Sequence, residues 1–120
     1  MSLYEEIGGK AAVNAAVDSF YEKVFNDPLL MPFFVNTDKT RQIAKQKAFM
    51  TYAFGGAPHY SGQSMREAHK NAVTHGLTDI HFDAVAGHLH KTLLELNVAN
   101  HLIAQVMEVV GGTRNDILNR

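Results

Sequence analysis

Seven histidines and no cysteine bound the chemistry open to this chain of 120 residues. Without Cys there is no disulfide, no thiolate metal site, no Cys nucleophile and no Cys-x-x-Cys-His attachment motif. The histidines stand at positions 59, 69, 75, 81, 88, 90 and 101. Helical metal ligands must be three or four residues apart to share a face, and no two of these are. His88 and His90 diverge by about 200° on a helix, while His81 and His88 sit two turns apart, flanking an apolar stripe. His101 falls opposite the stripe of its own helix, and His59 and His75 fall in loops. These six read as surface residues. His69 differs: with Met65, Ala68 and Ala72 it forms an i, i+3, i+4, i+7 set on the inward face of a short helix.

Three more polar side chains interrupt apolar stripes, where an unpaired polar group costs about 1–3 kcal/mol. On a helical wheel, Gln42 and Gln46 fall inside the cluster formed by Ile43, Phe49, Met50, Ala53 and Phe54, with Lys45 at its edge. One such Gln can bond a nearby loop backbone, but two at i, i+4 need partners in the same cavity. Tyr21 lies within the apolar face of its helix, and its hydroxyl either reaches the surface or needs a buried partner. An inward His69 either bonds a carbonyl or serves as one ligand to a metal whose other ligands come from elsewhere. A porphyrin supplies four equatorial nitrogens, so haem iron needs only one protein His. A haem would also be covered by the aromatics Phe20, Phe33, Phe34, Phe49 and Phe54, and would give Tyr21, Gln42 and Gln46 something to bond.

The elements that must position these residues read as helices separated by Gly and Pro. Ser2 to Glu5 fits a capping box for a short first helix, ended by Gly8-Gly9. Lys10 to Phe25 carries Val13, Ala16, Val17, Phe20, Tyr21 and Val24 at helical spacing. Pro28 stops it, and Pro32 keeps the next stretch short. Thr37 or Asp38 caps a helix to about Phe54, broken by Gly55-Gly56-Ala57-Pro58. Ser64 caps a short helix from Met65 to about Val73, and Thr78 a long one from Asp79 to about Leu96. The last helix runs from about Ala99, with Leu102, Ile103, Val106, Val109 and Val110 inward. Gly111-Gly112 weakens it, and Asn115 to Leu118 is a frayed continuation. No alternating strand pattern is present, so the class is all-α, in one domain spanning residues 1–120.

Composition removes other functions. A net charge of −1 leaves no basic face for nucleic acid. No apolar run approaches the ~18 residues of a transmembrane helix. The acidic N-terminus lacks the apolar core of a signal peptide, so the cytoplasm is the expected compartment. No heptad seam points to an obligate dimer, so a monomer is expected.

In its motifs the chain resembles a truncated haemoglobin of group I. The landmarks are Leu3-Tyr4-Glu5 through Gly8-Gly9, Phe20-Tyr21, Phe33-Phe34, Thr37-Asp38, Gln42 with Gln46, Thr51 to Gly56, Met65 to Lys70 and His81 to Val85. The resemblance covers nearly the whole chain and implies a two-over-two helical sandwich around haem b. It implies His69 as proximal iron ligand, Tyr21, Gln42 and Gln46 as distal hydrogen-bonding residues, Phe34 as the aromatic that wedges the haem, and Phe49 lining an apolar ligand tunnel. Met65 is a further expected cofactor contact. Lys45 falls where members vary between His and Lys, and the resemblance implies either pairing with a haem propionate or, as the neutral amine, a sixth iron ligand. Some members bond a haem vinyl through a His near the C-terminus. Here that stretch reads Gly112-Thr113-Arg114-Asn115-Asp116, with none.

The expected ligands are dioxygen, carbon monoxide and nitric oxide. The expected activity is reversible oxygen binding, extended to nitric oxide dioxygenation only with a separate reductase, since no nicotinamide or flavin fingerprint is present. A haem redox or sensor protein using Lys45 as sixth ligand, and a cofactor-free helical interaction module, are the alternatives.

Overall fold

A computed structural model describes residues 3–35, 38–55 and 62–120, with the side chains of 62–65 and 68 outside the description. The apolar stripes become helices α1 (Leu3–Glu6), α2 (Gly9–Phe25), α3 (Lys39–Ala53), α4 (Gly62–Thr74), α5 (Asp79–Glu95), α6 (Asn100–Gly111) and α7 (Arg114–Ile117), with a short 3₁₀ turn at Met31–Phe34. No strand occurs among the described residues.

The helix ends follow local chemistry. Gly8, at φ 118, takes a left-handed conformation that lets α1 turn directly into α2. A Cβ there would also lie 3.1 Å from the Ala12 Cβ. Asp38 caps α3 by accepting a bond from the Arg41 N–H at 3.1 Å. The alternative caps Ser2 for α1 and Thr37 for α3 lie outside the described residues. Two boundaries differ from expectation. Helix α4 begins at Gly62, so Ser64 sits inside it and is not its cap. Residues 114–117 form a separate helix, and Leu118 is buried, so this end is packed and not frayed.

Helix α2 is the centre of the fold. It packs on α3 and on α5, and α5 in turn packs on α6. The result is two helix pairs, α2/α3 laid over α5/α6. The core between them joins Val17, Phe20 and Val24 of α2 to Phe49 and Met50 of α3, Leu89 and Leu93 of α5 and Val106 of α6. Each such side chain contributes about 1.5–3 kcal/mol on burial. Helix α4 stands apart. Among the described residues its main packing partner is α7, with only sparse contacts to the helices of the two pairs.

The end of α2 is tied to α5 by a pair whose members are distant in sequence. His88 Nε2–H donates to Asp27 Oδ2 at 2.7 Å, and Asp27 Oδ1 also accepts from the Leu29 N–H at 2.9 Å. Both side chains are mostly buried. His88 is therefore a structural clamp and not a surface bystander. The His88 hydrogen bond first, then that of Leu29, with a smaller contribution from the His88 charge, holds the Asp27 carboxyl below its ordinary range. A depressed carboxylate stabilises the fold above its unfolded pKa, and that stability is lost as pH falls through its folded value. Asp27→Asn is therefore expected to lower stability by about 1 kcal/mol at neutral pH. The gap from wild type should close below roughly pH 4. Urea unfolding at both pH values checks this.

Candidate functional site

On the α2 side of the site, Tyr21 is 4% exposed. Its ring meets Phe20 edge-on at 5.1 Å and Phe25 at 5.0 Å, which fixes the direction of the hydroxyl. That direction is toward α3. Gln42 Nε2 donates to Tyr21 Oη at 3.1 Å, and Tyr21 Oη donates to Gln46 Oε1 over a long 3.5 Å. The phenol has a single proton, so only one of the two amides can face it with oxygen, and here that is Gln46. The three inward polar residues thus meet in one cluster. Two amides one turn apart on α3 bracket one hydroxyl on α2.

Aromatic contacts extend from this cluster. Phe34 stands edge-on to Phe25 at 5.3 Å, and the Lys39 ammonium lies over the Phe25 ring, 5.0 Å from its centroid. Phe49 is buried on α3 beside Tyr52, with ring centroids 6.3 Å apart. Lys45 is exposed and is not part of the Tyr21 cluster. His69 is half-buried on α4. The side chain of Met65 lies outside the described residues.

Two surface histidines have structural contacts that the sequence reading missed. His81 Nδ1 accepts from the Thr78 N–H at 3.0 Å, completing a capping box at the start of α5. Its ring also stands edge-on to Phe33 at 4.9 Å, joining α5 to the 3₁₀ turn that carries Phe34. The spacing Thr78-x-x-His81 was the available signal. For His88 none existed, because its partner Asp27 is 61 positions away. His90 and His101 are exposed, and His59 lies outside the described residues.

With this geometry in view, the comparisons with known proteins are decisive. The sequence model of the Bacterial-like globin family matches residues 2–119. A group 1 truncated haemoglobin of Synechocystis sp. is 51% identical over 99% of this chain and 98% of its own length. The chain belongs to the group 1 truncated haemoglobins. Solved truncated haemoglobins share its architecture. The 2/2 haemoglobin of Synechococcus sp. PCC 7002, in a cyanomet state with covalently attached haem, superposes with a TM-score of 0.94 at 54% identity over 100% of both chains. The Fe(III) form of the truncated haemoglobin of Tetrahymena pyriformis gives 0.87 at 42% identity over 98% of each chain. The two helix pairs described above are therefore the two-over-two globin sandwich.

Family membership carries haem-based ligand binding as its general activity, and the residues present fit that group. A haem needs apolar cover and one imidazole within reach of its iron. Here α4 brings a half-buried His69 and, among the described residues, stands off from α2 and α3. Phe34, Ile43 and Val85 pack on the core yet keep part of their surface, so they can offer apolar area to a flat cofactor. The donor set is one imidazole without thiolates, which suits a metal already held by four ring nitrogens.

Proposed function

We propose that this truncated haemoglobin holds haem b non-covalently, with His69 as the proximal ligand, and binds dioxygen reversibly beside Tyr21, Gln42 and Gln46. The observation that carries the reading is the bracketed hydroxyl. A buried Tyr, held by two rings and accepting from Gln42, spends its one proton only on a long 3.5 Å bond to Gln46, so the hydroxyl can turn that proton to a stronger acceptor on the distal side. Haem, when bound, supplies a ferrous iron with a position open to a diatomic gas.

The chain supplies the rest. Tyr21 directs a hydroxyl and Gln42 and Gln46 direct amides to the distal side. Hydrogen bonds to groups bearing charge are worth about 1.5–3 kcal/mol, so each good donor slows release by roughly ten- to a hundredfold. The three share atoms and act as one network, not as independent terms. Phe34 and Phe49 offer the cofactor apolar surface that keeps water out. No His stands in Gly112 to Asp116 to bond a haem vinyl, which supports non-covalent binding, in contrast to the covalent haem of the Synechococcus structure. Carbon monoxide and nitric oxide enter the same distal space.

Retaining dioxygen in this way also suits nitric oxide removal. Nitric oxide, dioxygen and one electron give nitrate, and the electron comes from a separate reductase. The visible spectrum tests the reading. A Soret band that forms with added haem and shifts under carbon monoxide is expected. Absence of the band would leave a cofactor-free helical module.

Lys45 pairs with a haem propionate in this reading, because its side chain is exposed and outside the distal cluster. The ferric spectra of wild type and Lys45→Ala are expected to coincide from neutral to alkaline pH. A low-spin alkaline species present only in wild type would instead assign the amine as a sixth ligand and favour a redox or sensor role.

A further inference from the structure

Helix α4 presents His69, yet among the described residues it packs chiefly on α7, a helix of four residues. So short a helix does not hold itself, and the structure shows what holds it. The Arg114 guanidinium forks onto Asp79 Oδ1 at 3.0 Å and Asp83 Oδ1 at 2.6 Å, and lies 4.4 Å over the buried Phe82 ring. Arg120 grips Asp79 with both terminal nitrogens, at 2.8 and 2.9 Å. Leu118 is buried between these anchors. Residues 114–120 are thus fastened to the first turns of α5, which belong to the core.

Among the described residues, three side-chain bonds join this strap to α4, and all three meet at one residue. Arg66 Nε donates to Asp116 Oδ1 at 2.8 Å. Arg66 Nη2 donates to the main-chain oxygen of Arg120 at 2.7 Å. Asn119 Nδ2 donates to the main-chain oxygen of Arg66 at 3.1 Å, from a residue whose φ of 57 turns the chain back toward α4. Asn is among the few residue types that adopt this conformation readily. Single exposed ion pairs are weak. Here three arginines and three aspartates form one linked, charge-neutral set in which Arg66 is the member on α4. It lies three positions before His69, on the adjoining turn.

We propose that Arg66 is a positioning residue for His69: it fixes the height and tilt of α4 and so the approach of the imidazole to the iron. The proposal rests on His69 being the proximal ligand. It is tested on haem-loaded protein with Arg66→Gln, Asp116→Asn and the double variant, read by haem transfer to excess acceptor apoglobin. The second readout is the iron–histidine stretching band of the ferrous form.

Each single variant is expected to lose haem about fivefold faster and to shift or broaden the band. The double variant should be within about twofold of Arg66→Gln, because the bond that Asp116→Asn removes is already lost in Arg66→Gln. Arg66→Lys, which retains the charge but loses the fork, should recover part of the effect. Added salt should speed haem loss more in wild type than in the double variant, which keeps only the pairs of Arg114 and Arg120 with Asp79 and Asp83. An unmoved band in Arg66→Gln overturns the proposal, even if haem is lost faster. A band that persists in His69→Gly would instead overturn the assignment of His69 on which it rests.

Discussion

Tyr21→Phe is expected to speed oxygen release at least about tenfold, the equivalent of one hydrogen bond to a group bearing charge. The substitution is unusually clean. Phe keeps the ring, so the contacts to Phe20 and Phe25 at 5.1 and 5.0 Å persist, and only the hydroxyl is removed. Its loss also leaves the Gln42 amide without its acceptor at 3.1 Å and the Gln46 carbonyl without its donor. The two glutamines are one turn apart and are free to turn toward each other or toward the ligand. Single Gln42→Leu or Gln46→Leu changes are therefore expected to be smaller, and combinations with Tyr21→Phe less than additive. Stopped-flow displacement of oxygen by carbon monoxide measures the rate. A rate equal to wild type would remove Tyr21 from any distal role.

His69→Ala is expected to have the larger effect on cofactor retention. Disturbing groups that only support a metal ligand commonly costs 10–100-fold in metal affinity. Removing the sole protein ligand should exceed that, with haem loss faster by more than about 100-fold. What remains is apolar burial against walls such as Phe34 and Ile43, which holds haem loosely and without a defined axial bond. Added imidazole, filling the space left by the side chain, should restore a five-coordinate ferrous spectrum in the variant. Retention equal to wild type would place the ligand elsewhere on the chain.

Much of this architecture was legible in the sequence because it rests on periodicity. Val13, Val17, Phe20 and Val24 recur on one face and bury on one face. Gln42 and Gln46 stood out because they broke such a face, and the break marked the cluster they form with Tyr21. What could not be read was any pairing across the fold. Nothing at Asp27 announces His88, and nothing at Arg66 announces Asp116, since such partners are chosen by how helices cross. Spacing alone also made His81 and His88 look idle, because it tests whether histidines chelate together and not whether each has another partner. The start of α4 was misplaced for a local reason. Ser64 has the chemistry of a cap, but a helix takes its cap where it begins, and this one begins at Gly62.

The anchoring of α4 by the far end of the chain has a consequence for biosynthesis. Arg66 and Asp116 are 50 positions apart. At about 5–20 residues per second, the ribosome takes roughly 2.5–10 s to travel between them. Through that interval the residues of α4 have been made and their fastening has not. With His69 in its proposed role, a wall that is tied down only once Arg114, Asp116 and Arg120 have been made leaves the nascent chain open to a large flat cofactor during synthesis.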